Sequence, residues 1–117
     1  MAHDIPDSRK ELELHRNQLK KILAQARKLR ENGAFAKVRE ALRTAEEIEN
    51  DIGDLELRTR IRLELGLLEL DGGNLEQDQS ILKDVREVFI YLGKNEEVHA
   101  INKRLIEEGQ RAARGSR

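Results

Sequence analysis

The chain has no cysteine and no tryptophan, only one proline and one methionine, and its aromatic residues are two phenylalanines and a tyrosine. Without cysteine there is no disulfide framework, no thiol nucleophile and no thiolate metal site, and a reducing, cytoplasmic compartment is the default expectation. No apolar run approaches the roughly 20 residues that span a bilayer. The start Met1-Ala2-His3-Asp4 lacks the basic and apolar regions of a signal peptide. Neither sign of charge dominates: 22 lysines and arginines meet 23 acids, for a net charge of −1. No global field therefore recruits nucleic acid or an anionic membrane. With 38% of residues charged and 3% aromatic, the 117-residue chain has material for one domain with a small aliphatic core. The same composition also marks disorder, against which the regular apolar spacing argues.

What is present is a rhythm. Glycine falls at 33, 53, 73 and 93, each at the end of an amphipathic segment. Glycine after a helical pattern is a C-terminal signal, so the chain reads helix, turn, helix, turn. The larger repeat is a hairpin of forty residues: residues 33–65 align on 73–105, pairing Leu42 with Leu82, Glu47 with Glu87, Ile61 with Ile101 and Leu65 with Leu105. Charge follows the same geography. Residues 8–31 carry eight bases against three acids, and residues 44–78 carry eleven acids against three arginines. The simplest reading is two solvated faces that attract each other.

The pattern predicts five helices. Residues 1–7 are expected to be a flexible N-terminus, stopped by Pro6, with Ser8-Arg9-Lys10-Glu11 as a capping box opening the first helix. Leu12, His15, Leu19, Ile22, Ala26 and Leu29 then form one seam. Residues 8–52 make the first hairpin, 54–92 the second and 95–110 a terminal capping helix, with caps at Asp54, Asn74 and Asn95 and a flexible tail at 111–117. The third helix is unusual, because Leu57, Ile61, Leu65 and Leu68 form one apolar stripe while Leu63, Leu67 and Leu70 form another. A helix apolar on two faces needs neighbours on both.

Ala26, Gly33 and Phe35 in the first unit, and Gly66, Gly73 and Leu75 in the second, resemble the tetratricopeptide repeat, with Leu65-Gly66 matching its Leu-Gly pair. The forty-residue period exceeds the family's usual figure of about 34, which implies longer helices. Val38 and Asp78 replace small residues of the pattern, and Glu69 replaces an aromatic. The resemblance implies an all-α right-handed stack of antiparallel hairpins, a solenoid, with a generic antiparallel bundle as the rival. It also implies a concave face lined by Lys20, Leu23, Arg27 and Arg30 in the first unit, Arg60, Leu63, Leu67 and Leu70 in the second, and Lys103 with Glu107 in the partial third. Such a groove would bind a peptide or helix that is acidic with aliphatic anchors, as a non-catalytic interaction or scaffold module. The clamp that some family members use for a C-terminal carboxylate is not reproduced, since Leu23 and Arg27 occupy two of its slots. The second leucine stripe has three possible covers: the chain itself, a second copy in a self-associating structural protein, or a foreign ligand.

Catalysis, cofactors and metals find no support. His15 has Leu19 one turn on and His99 has Lys103, so neither forms an i, i+4 ligand pair. Glu46-Glu47, Glu96-Glu97 and Glu107-Glu108 are adjacent pairs that diverge around a helix. Nucleic acid is the remaining class, resting on Lys20, Arg27, Lys28 and Arg30. No aromatic platform accompanies them, and the rest of the chain is acidic.

Overall fold

The computed structural model describes residues 4–72 and 75–115, with side chains described over 9–72 and 79–114. These form five α-helices: α1 (Asp4–Glu31), α2 (Phe35–Ile52), α3 (Leu55–Asp71), α4 (Leu75–Tyr91) and α5 (Asn95–Gly115). No strand occurs among the described residues. The chain is all-α.

Three of the four glycine breaks stand where the spacing put them, at Gly33, Gly53 and Gly93, each with φ between +69° and +77°. Gly33 and Gly93 close their helices the same way. Ala34 N–H donates to Leu29 C=O at 2.9 Å and Gly33 N–H to Arg30 C=O at 3.0 Å; sixty residues on, Lys94 donates to Phe89 and Gly93 to Ile90. This paired closure satisfies carbonyls that the helix leaves free, and it needs a residue at positive φ. The break at Gly73 and the cap at Asn74 lie outside the described residues. There α3 ends at Asp71, and Gly72 N–H donates to Leu68 C=O at 3.0 Å.

The caps are mixed. Asp54 accepts from Leu57 N–H at 3.1 Å and caps α3 as read. Asn95 does not cap α5 but is its first helical residue, and the preceding Lys94 carbonyl accepts from Val98 N–H. Nor does Ser8 open α1: the helix begins at Asp4 and contains Pro6 in its first turn. Proline lacks only an N–H that has no intrahelical acceptor there, so it does not stop the helix. At the other end α5 runs to Gly115, past the point where the tail was expected to fray.

Packing is sequential except that α1 also meets α3. α1 contacts α2 and α3, and α3 contacts α2 and α4, while α5 contacts α4. The molecule is a slab of 68 × 31 × 19 Å, about two helices thick. Two hydrophobic clusters share α3. Leu57, Ile61 and Leu68 join Leu19, Ala26, Val38, Leu42 and Ala45 of α1 and α2, while Leu63 and Leu70 join Leu82, Val85, Phe89 and Ile101 of α4 and α5. The two leucine stripes of α3 therefore serve two cores, and intrachain packing covers the second stripe at Leu63 and Leu70. Close approach is allowed by small residues forty apart. Ala26 is fully buried, and a Cβ on Gly66 would stand 3.1 Å from Ile81 Cγ2.

The opposed charges of the sequence also meet. Arg16 reaches Asp54 at 3.5 Å, Arg30 reaches Glu64 at 3.4 Å and Asp71 at 3.0 Å, and Arg39 reaches Glu69 at 2.8 Å. The basic first helix thus lies along the acidic middle of the chain.

Candidate binding trough

The odd-numbered helices build a trough from three cavities that share residues. A cavity of about 410 Å³ lies between α1 and α3, among Lys20, Leu23, Arg27, Leu57, Arg60, Leu63 and Glu64, with Lys94 at its edge. Arg27, Arg60 and Leu63 also line a second, of about 360 Å³, which continues over Leu67 and Leu82 to Glu97, Ala100, Ile101 and Arg104 of α5. A third, of about 290 Å³, shares Leu67, Ala100 and Arg104 and ends at Lys103 and Glu107. Helical spacing explains the lining. Residues 20, 23 and 27 of α1, 60, 63 and 67 of α3, and 97, 100 and 104 of α5 each recur at three and four, so each trio occupies one face.

The apolar floor is Leu63, Leu67, Leu82 and Ile101, and charges stand along its walls. Most of the cations are already paired. Arg60 donates to Glu97 at 2.8 Å while its guanidinium lies 5.6 Å from the centre of the Phe89 ring, and Lys94 meets Glu56 at 2.7 Å. Arg104 binds Asp71 and, at 2.9 Å, Glu108. The Arg60–Glu97 and Arg104–Asp71 pairs join α3 to α5 at the two ends of the apolar floor. Between them the two helices do not approach closely, which leaves the cleft open.

Burial and charge set the proton affinities. Burial pushes the Glu64 carboxyl up, and the attraction of Arg30 and Arg27 offsets this only in part. Asp71 shows the other balance: burial raises it, but hydrogen bonds from Arg104 and Arg30 outweigh that and hold it below the usual range. The hydrogen bond from Arg60 holds Glu97 low, against a smaller effect of burial. Burial works to lower Arg104, yet Asp71 and Glu108 raise it.

Of the residues assigned to the groove, Lys20, Leu23, Arg27, Arg60, Leu63, Leu67 and Lys103 line the trough. Arg30 and Leu70 do not. The Arg30 side chain is 11% exposed and held between Glu64 and Asp71, and Leu70 is buried in the cluster shared with α4 and α5. The rims are also less basic than the sequence implied. Glu56, Glu64, Glu96, Glu97 and Glu107 accompany six bases, leaving a slight positive excess in a chain of net charge −1. Lys20 and Lys103 form no ion pair among the described residues, and Arg27, 60% exposed, makes only a 3.7 Å contact with Glu64.

Sequence reasoning missed Glu64, Glu97, Ala100 and Arg104. Glu64 had a signal, as an acid inside the run Leu63-Glu64-Leu65. On α5 the stripe at 97, 100 and 104 leads to Lys103, which lines only the far end of the trough. Among the described residues no group of three or more histidines, cysteines or acids could hold a metal ion, and no helix is long and apolar enough to cross a membrane. No family model matches the sequence, and neither a curated protein nor a solved structure is significantly similar to it.

Proposed function

We propose that this chain is a non-catalytic protein-interaction module, a stack of hairpins resembling tetratricopeptide repeats, that takes an acidic helix or peptide with aliphatic anchors in the trough. The observation that carries this reading is the continuous line of cavities across α1, α3 and α5, with leucines on the floor and Lys20, Arg27 and Lys103 on the walls. Apolar floor with satisfied polar walls is the anatomy of a groove that anchors a helix by a few side chains and orients it by charge. The positive-φ helix ends forty residues apart at Gly53 and Gly93, and the small residues at 26 and 66, support the hairpin repeat itself.

The test uses a labelled synthetic helix with leucines at i, i+4 and i+7 among acids, and a twin with lysines for the acids. Fluorescence anisotropy should show saturable binding of the acidic helix, weakening as salt rises. Lys20→Glu should weaken it at least ~10-fold. Equal binding of the lysine twin, or no effect of Lys20→Glu, would overturn the reading.

A further inference from the structure

We propose that the occupant of the trough is a second copy of this chain, which docks through the outward face of α4. This rests on the trough reading above and names its partner. α4 buries Leu82, Val85 and Phe89 against α3 and α5. The opposite face carries Lys83, Asp84, Glu87, Ile90 and Tyr91 at helical spacing, all exposed. Tyr91 is 82% exposed and Ile90 is 52% exposed. In a chain with three aromatic residues, Phe89 is fully buried, Phe35 half-buried and only the tyrosine stands in water. Tyrosine is the residue type that carries binding energy when a partner desolvates it, because its ring buries a large area at little entropic cost.

Charge selects the partner. Asp84 and Glu87 make no ion pair among the described residues, and with Lys83 on the same face they leave one negative charge in excess beside the two apolar side chains. That is the chemistry the trough takes: ring and aliphatic anchor on the floor of Leu63 and Leu67, carboxylates towards Lys20 and Arg27. The stripe points away from the molecule's own trough, since Leu82 enters that trough from behind. The contact must therefore join different copies, and because two different surfaces meet it is heterologous. Repetition gives a ring where the rotation closes and an open chain of molecules where it does not.

Two variants test the two surfaces separately. Glu87→Lys with Tyr91→Ser removes the α4 face, and Lys20→Glu with Ala100→Glu alters the trough at two exposed positions. Thermal melts by circular dichroism establish that both remain folded. In sedimentation velocity the native chain should grow in mass with concentration, while each variant alone stays monomeric. Mixed together, the variants retain one good surface each and should stop at a one-to-one complex. A native chain that remains monomeric to about 1 mM overturns the proposal. So does a mixture that assembles no further than either variant alone, or assembly that either variant retains by itself. If the native chain is monomeric yet the acidic synthetic helix binds, the trough reading stands and only its occupancy by a second copy falls.

Discussion

Leu42 and Leu82 stand forty residues apart, and both are fully buried. Leu42 lies in the cluster of α1, α2 and α3, and Leu82 in that of α3, α4 and α5. Truncating either to alanine removes apolar groups worth about 0.8 kcal/mol per buried methylene, plus the cost of the cavity left behind. Each site is walled by helices on more than one side, so collapse requires a whole helix to shift and relaxation is small. A loss of about 3 kcal/mol each is expected, within the range of about 2–5 for such changes. Against a total of about 6–18 kcal/mol for a chain of this length, either variant should fold but melt early. With a slope of about 1–3 kcal/mol per molar urea, the midpoint should fall by about 1–3 M. Because α2 and α4 do not touch among the described residues, the losses should add in the double variant to within about 0.5 kcal/mol. Urea titrations followed at the helical circular dichroism band measure all three. A loss below about 1 kcal/mol at either site would refute the proposed equivalence of two hairpins, since that leucine would not be in a packed core.

Glu49 is 3% exposed, with Oε2 on Arg58 at 3.2 Å and Oε1 unpartnered, whereas the equivalent position forty residues on is the buried Phe89. Glu49→Leu should therefore leave the melting midpoint unchanged or raised, because Arg58 is half in water and the buried carboxylate is costly; a loss above about 2 kcal/mol would show the pair to be a true stabiliser. Gly53 has φ +69° and open space where a Cβ would stand, so Gly53→Ala should cost about 1–2 kcal/mol from backbone strain alone, and an unchanged urea midpoint would contradict that. The pH dependence has two opposed parts. Asp71 titrates below its usual value in the fold, so its contribution is present above about pH 4 and lost as pH falls through the lower folded value. Glu64 titrates above its usual value, so its contribution is complete below the unfolded value and lost as pH rises through the folded one. Urea midpoints measured against pH should show Asp71→Asn flattening the acid-side loss and Glu64→Gln abolishing the gain between neutral and mildly acid pH. Variant curves parallel to the native one throughout would refute both assignments.

What the sequence determined by itself was local or periodic. A glycine at the end of an amphipathic run closes a helix because only that residue takes positive φ freely, and Gly33, Gly53 and Gly93 do so. Two leucine stripes on α3 meant two neighbours, because apolar faces must be covered, and the two clusters share that helix. Charge blocks of opposite sign were read as two faces that attract each other, and Arg30 of α1 does meet Glu64 and Asp71 of α3. Local rules also misled where the backbone had a second choice: Pro6 fits a first turn as well as it ends a helix, and Asn95 begins α5 although its side chain suits a cap. Tertiary structure alone decided which members of a stripe stay in water. Leu63 and Leu70 are buried in the cluster shared with α4 and α5, while Leu67 packs at its edge and stays partly open to the trough. It also decided the partners of the arginines. Arg30 finds Glu64 and Asp71 across 34 and 41 residues of chain, and Arg60 finds Glu97 across 37. A long cationic side chain has several carboxylates within reach, and only the helix packing fixes which of them it meets.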